Sequence, residues 1–192
     1  MNKKICYFIS IILLIYSCNK SNERPCWKSN GNKITISNSN LCDFLRSPKT
    51  INVYCHYTAL KNIELLGYGT LSNQDLIQHN INIHTFESLS NISLELQNDS
   101  TILTLLKGAV DVKLKGTSNY LYGYASGYGP FNADSLTCFK AHGHSRGLGN
   151  FYLNATNSLV IELRSQGNFY YKGNPNSLNF IQTGTGLIFN MN

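Results

Sequence analysis

The side chains most able to do chemistry lie between residues 122 and 164, at alternating positions that recur about every twenty residues. Two tyrosines are followed by two histidines and then by a glutamate, and an arginine lies two residues after the second histidine and after the glutamate. Imidazole and carboxylate groups can transfer protons or bind metals, whereas tyrosine and arginine are favoured in recognition surfaces. The candidate binding patch consists of Tyr122, Tyr124, His142, His144, Arg146, Glu162 and Arg164, with an ordinary solvated strand face as the alternative.

Catalysis on a polysaccharide requires clustered Asp or Glu side chains. The sequence has ten carboxylates, and Glu95, Asp134 and Glu162 fall on different predicted strands or are separated by lysine. The sequence contains no nucleophile elbow, phosphate-binding loop or His-Glu-x-x-His motif. We therefore predict that the protein is not an enzyme and has no catalytic residue, cofactor or metal site, with a polysaccharide-active enzyme as the alternative.

The elements that position these residues follow from seven apolar positions with nearly constant spacing. They are Leu71, Ile92, Val112, Phe131, Phe151, Phe169 and Ile188, with spacings of 21, 20, 19, 20, 18 and 19 residues. Apolar and polar residues alternate around each of them, which is typical of a half-buried strand. A second alternating strand precedes each Gly-x-Gly, and the glycines predict a turn that needs positive φ or close backbone approach.

A repeat of about twenty residues built from short strands predicts an all-β fold, a parallel β-solenoid with one repeat per rung. Stacked rungs lie ~4.8 Å apart, so Phe131, Phe151 and Phe169 should form one interior column. An outer ladder of alternating charge is expected at Glu95, Lys115 and Asp134.

The N-terminus has the pattern of a signal peptide. Two lysines precede an apolar run of about twelve residues, which is too short to span a bilayer as a helix. The run ends at Ile15-Tyr16-Ser17-Cys18, which resembles a bacterial lipobox. We expect a lipoprotein signal peptide over residues 1–17, a lipidated Cys18 that anchors the chain to the membrane, and a polar tether over residues 18–25. An ordinary signal peptide or an anchor helix is the alternative.

Asn19 after the predicted lipidation site favours the outer membrane, and the side on which the chain faces is left open. Disulfides form outside the inner membrane, and Cys26 with Cys42 is the pair we expect first, with buried free thiols as the alternative for these and for Cys55 and Cys138. The net charge of +6 falls to +4 without the two lysines of the predicted signal peptide. So modest a charge argues against a nucleic-acid partner.

Several segments carry a family resemblance: Cys26–Gly31, Ile51–Tyr54, Leu60–Gly69, Phe169–Pro175 and Gly184–Gly186. In order and spacing they resemble the head GIN domain of Bacteroidetes lipoproteins, over residues 26–192. The resemblance implies a right-handed, single-stranded β-helix with an adhesive role and no catalytic residues. Two departures stand out: the N-terminal rungs look shortened, and the family's Asp after Gly-x-Gly is kept only as Asp111, which removes an acidic ladder suited to Ca²⁺.

The function expected from these observations is that of a non-enzymatic, lipid-anchored β-solenoid of the cell envelope that presents its patch to a protein or glycan. A structural protein that self-assembles through its solenoid ends is a further alternative, indicated by Asn73 and Asn190 at inward positions. The ligand and the oligomeric state are not fixed by the sequence.

Overall fold

The structure is a computed structural model that describes residues 9–14, 26–30, 33–37, 52–58 and 60–192. These residues form strands joined by short turns. The strands are β1 (Ile9–Leu14), β2 (Cys26–Asn30), β3 (Lys33–Ser37), β4 (Leu60–Ser72), β5 (Ile81–Gly108), β6 (Asp111–Ala125), β7 (Phe131–Ser145), β8 (Phe151–Leu163), β9 (Phe169–Lys172), β10 (Ser177–Gln182) and β11 (Ile188–Asn190).

The strands belong to one coiled sheet. Its order is β11-β9-β8-β7-β6-β5-β4-β1-β3-β2, with β10 paired to β8. All pairings from β4 to β11 are parallel, and their register partners lie about twenty residues apart. The chain therefore winds as a β-solenoid of about six turns, which confirms the predicted fold class and rung length.

The predicted interior column is present. Its seven positions, from Leu71 to Ile188, are register partners from one rung to the next. The rings of Phe131 and Phe151 stack with centroids 4.2 Å apart, and those of Phe151 and Phe169 stack at 5.0 Å, each pair with planes 9° apart. These rings are fully buried. Each rung therefore buries its apolar side chains by stacking on the adjacent rungs.

The rings have room because the opposite strand of the same rungs carries glycine at an inward position. A Cβ at Gly123 would overlap the tips of the Phe131 and Phe151 rings, and one at Gly143 would overlap the tip of Phe169. Phenylalanine rings thus lie opposite glycines across the core. This pairing of large with small residues allows the interior to be closely packed.

The glycine turns are explained by close approach. A Cβ at Gly147 would collide with the carbonyl oxygen of Gly127 in the rung below, and one at Gly149 would collide with that of Gly129. Positive φ applies at other predicted turn glycines, for example Gly67 of the Gly67-Tyr-Gly69 pair at 88° and Gly108 at 80°. Both reasons offered from the sequence therefore apply, and backbone contact between stacked turns is the operative one at Gly147 and Gly149.

The outer charge ladder is only partly as predicted. Lys115 Nζ lies 2.7 Å from Glu95 Oε2. The next step fails because a bulge between Lys113 and Lys115 pairs Lys115 with Ser135. Asp134 instead lies 3.8 Å from Lys172 Nζ. The predicted Lys115–Asp134 step is therefore wrong, and its cause is the register shift.

At the N-terminal side, β2 and β3 form an antiparallel hairpin, and β1 lies between β3 and β4 in parallel pairings. A short apolar run suits a strand as well as a signal sequence, and β1 lies within residues 1–17, so cleavage of the predicted signal peptide would remove it from between β3 and β4. The predicted lipidation site Cys18, the tether 18–25 and the disulfide partner Cys42 lie outside the described residues, so those predictions and the shortened N-terminal rungs stay predictions. The described ranges contain no helix with the length and apolar character that crossing a bilayer requires.

Candidate functional site

Three adjacent rungs bring the predicted patch together on one outward surface. Tyr122 pairs in register with His142, Tyr124 pairs with His144, and His144 pairs with Glu162. The residues between them, such as Gly143 and Ile161, face the core. Alternation along parallel strands thus places two tyrosines, two histidines and the carboxylate on one face.

The two arginines extend this surface at the strand ends. The backbone N–H of Arg146 donates to the Ala125 carbonyl at 2.8 Å, and that of Arg164 donates to the Ser145 carbonyl at 2.8 Å. Continued stacking therefore sets the arginines on adjacent rungs, beside His144.

Glu162 is the centre of the polar contacts. Its Oε1 lies 2.9 Å from His142 Nε2, and its Oε2 accepts from Arg164 Nη2 at 3.0 Å and from Arg164 Nε at 3.3 Å. Burial raises the pKa of Glu162, but the hydrogen bonds from Arg164 and His142 outweigh it and hold the pKa below its ordinary value. The carboxylate is therefore ionised at neutral pH, although its side chain is only 15% exposed.

His144 forms no hydrogen bonds of this kind. Its Nδ1 lies 3.9 Å from Glu162 Oε2, beyond hydrogen-bond distance, and its buried Nε2 has no hydrogen-bond partner within the described chain. Burial lowers the pKa of His144; the charge of Glu162 opposes this effect, and the charges of Arg164, Arg146 and His142 add to it. His144 is thus a neutral imidazole at neutral pH.

The two tyrosines pack against the two histidines from the preceding rung. Tyr122 meets His142 edge to face at 5.1 Å between centroids, and Tyr124 meets His144 in the same way at 4.9 Å. Burial, followed by the charge of Glu162, raises the pKa of Tyr122. The Tyr122 phenol therefore stays protonated and can donate a hydrogen bond to a ligand.

Sequence reasoning missed four members of this surface, namely Tyr120, Lys140, Ser158 and Val160. Tyr120 and Lys140 are register partners of one another, and Lys140 also pairs with Ser158. The side chains of Tyr120 and Lys140 are exposed. Their positions, two residues before Tyr122 and His142, continue the same alternation, which was the signal available for finding them. The basic–tyrosine face is defined here as Tyr120, Tyr122, Tyr124, Lys140, His142, His144, Arg146, Ser158, Val160, Glu162 and Arg164.

This arrangement is suited to recognition. Within the described residues, no group of three His, Cys, Asp or Glu side chains is placed to hold a metal ion. Imidazoles and a carboxylate are adjacent, but they lie on the outside of a sheet, where nothing in the described chain encloses a substrate. Aromatic rings, cations and a protonated phenol on one face can bind a partner across several rungs.

The described cysteines add no chemistry to this face. Cys138 is a free, buried thiol, and burial raises its pKa to about 12. Cys55 is free and exposed as a residue, and the partial burial of its thiol raises the pKa of that thiol as well. Neither thiol is activated as a nucleophile, because a reactive cysteine requires a lowered pKa.

Comparisons with known proteins agree with the fold. A family model described as "Putative auto-transporter adhesin, head GIN domain" matches residues 26–175. The crystal structure of a putative adhesin from Bacteroides fragilis superposes with a TM-score of 0.71 at 19% identity, and the match covers 99% of this chain and 94% of that one. No curated protein matches the sequence significantly.

Proposed function

Because the chain belongs to the head GIN domain family of adhesin-like proteins, we propose that it is a non-enzymatic binding module of the cell envelope whose basic–tyrosine face contacts a glycan or protein. The observation that carries this proposal is the convergence of tyrosines, histidines and arginines from three rungs on one exposed face. A stacked sheet supports them, so little backbone ordering is needed on binding.

The proposal is tested by screening the purified chain on a glycan array and in pull-downs from envelope fractions. The matched variant carries Tyr124→Ala, His144→Ala and Arg146→Ala together. We expect the variant to lose the partners that the wild-type chain retains while keeping its β-sheet circular dichroism. Unchanged binding by a folded variant would reject this face.

The alternative of a polysaccharide-active enzyme has its own test. Incubating the chain with neutral and uronate-containing polysaccharides should release no new reducing ends and no unsaturated products. Measurable turnover that is lost with Glu162→Gln would replace the binding proposal by an enzymatic one.

Anchoring through Cys18 is the second part of the proposal, and it rests on the lipobox-like Ile15-Tyr16-Ser17-Cys18. An outer-membrane lipoprotein follows from that motif, with Asn19 after the modified residue. Expression in a bacterial host with labelled palmitate should give a labelled, membrane-bound protein, and Cys18→Ser should release an unlabelled one. Equal labelling of both proteins would contradict the assignment.

A further inference from the structure

The solenoid carries its charge differently on its two outward surfaces. The ladder face is defined as the outward charged residues on the first strand of each rung from β5 onward: Glu95, Asp111, Lys113, Lys115, Asp134 and Lys172. Acids and bases alternate there, and Lys115 and Lys172 each lie within 4 Å of a carboxylate. The ladder face therefore neutralises most of its own charge.

The basic–tyrosine face does not neutralise its charge. Its three cations, Lys140, Arg146 and Arg164, share one carboxylate, Glu162. Arg164 engages that carboxylate through two nitrogens, and within the described chain neither Lys140 nor Arg146 forms an ion pair. The surface thus has uncompensated positive charge at two places along β7, within the strand at Lys140 and directly after its last residue at Arg146, six residues or ~20 Å apart.

Resting on the proposed function, we propose that this face binds an acidic polysaccharide that runs along β7, with its anionic groups held by Lys140 and Arg146. Two separated cations match a ligand with repeated negative charge better than one with a single charge. Glu162 does not oppose such a ligand strongly, because Arg164 and His142 already bind its oxygens.

The tyrosines favour a saccharide over other polyanions. Tyr120, Tyr122 and Tyr124 occupy alternating positions on β6, the strand that pairs with β7. They therefore lie beside the strand on which Lys140 is found and which Arg146 follows. Aromatic rings supply apolar contact area and the phenols supply hydrogen-bonding groups, both of which suit sugar rings. A polyanion without such rings would gain only from charge.

The experiment is a titration with four polymers of defined chemistry at low and moderate salt. Dextran sulfate and polygalacturonate are the acidic polysaccharides, dextran is the neutral one, and polyphosphate is a polyanion without sugar. We expect the two acidic polysaccharides to bind at least about tenfold more tightly than dextran, with affinity that falls as salt rises. The affinity of both should also exceed that of polyphosphate.

Matched variants assign the binding to the face. Lys140→Gln with Arg146→Gln should weaken both acidic polysaccharides about tenfold, whereas Lys113→Gln with Lys115→Gln removes the same charge from the ladder face and should change affinity less than about twofold. Tyr120→Ala should weaken the polysaccharides about threefold and leave polyphosphate unchanged. Tyr128→Ala, which removes an exposed tyrosine at a glycine turn, is its control.

Three results would overturn the inference. An equal loss of affinity in the Lys140→Gln, Arg146→Gln variant and the Lys113→Gln, Lys115→Gln variant would show that overall charge determines binding. Equal affinity for polyphosphate and the acidic polysaccharides, with no effect of Tyr120→Ala, would show a general polyanion site. Failure of both acidic polysaccharides to bind would exclude the ligand class. In that last case the array and pull-down screen decides the proposed function separately, because neutral glycans and proteins are tested there.

Discussion

At the residue scale, the site depends on how Glu162 and His144 differ although they are register partners. Glu162 receives hydrogen bonds from Arg164 and His142, which compensate for its burial. His144 receives none, and its burial, followed by the positive charges of Arg164, Arg146 and His142, disfavours its protonated form. Glu162 therefore stabilises the face at neutral pH, whereas His144 makes the stability of the face sensitive to acid.

This difference predicts a pH dependence of stability. The pKa of His144 in the folded chain lies below its unfolded value near 6.5, so protons bind the unfolded chain more readily. Stability should be unaffected above about pH 7 and should fall as pH drops through about 6.5 toward the folded pKa. The pKa of Glu162 is also lowered, but its contribution is lost only at lower pH, as the carboxylate itself takes up a proton.

The measurement is the urea unfolding free energy at pH 7.5 and 5.5. We expect His144→Gln to reduce the loss between these two values, since glutamine does not titrate. His56→Gln, at an exposed position, is the control and should keep the wild-type loss. The same loss in His144→Gln as in the wild-type chain would contradict the argument.

At the element scale, the rungs stack closely because their turns carry glycine where backbones meet. Gly147→Ala would place a methyl group against the Gly127 carbonyl, and we expect a destabilisation of about 1–3 kcal/mol from the forced separation of the turns. Gly69→Ala is the matched control, because a Cβ there meets nothing within 4 Å. It should stay within about 0.5 kcal/mol of the wild-type stability. Thermal and urea unfolding of the two variants test the difference, and equal stability would show that the turns separate without cost.

The sequence was sufficient to predict the stacked strands where the burial of apolar side chains alone decides the register. A row of buried side chains at nearly constant spacing allows only one register, so the column from Leu71 to Ile188 was predictable. The ladder at Lys115 and Asp134 was not, because a bulge shifts exposed residues without disturbing that column. The room left by Gly123 for the phenylalanine rings was equally hidden, because it depends on contacts across the core.

At the scale of the whole molecule, the solenoid presents two outward faces of different electrostatic character. Stacking alone predicted that His144, Glu162 and the arginines would meet. It did not reveal that Lys140 forms no ion pair within the described residues while Lys115 forms one with Glu95, because ion pairing depends on side-chain geometry as well as register. This difference in charge is the reason that we propose the basic–tyrosine face as the binding surface.

The most direct test of that claim is to map ligand contacts on the isotope-labelled chain by nuclear magnetic resonance. Backbone amide shifts would be followed during titration with dextran sulfate. We predict that the shifted amides concentrate in residues 120–126, 140–146 and 158–164, and that those of residues 111–115 stay in place. Shifts concentrated in residues 111–115 instead, or spread evenly over both faces, would contradict the assignment of the basic–tyrosine face as the binding surface.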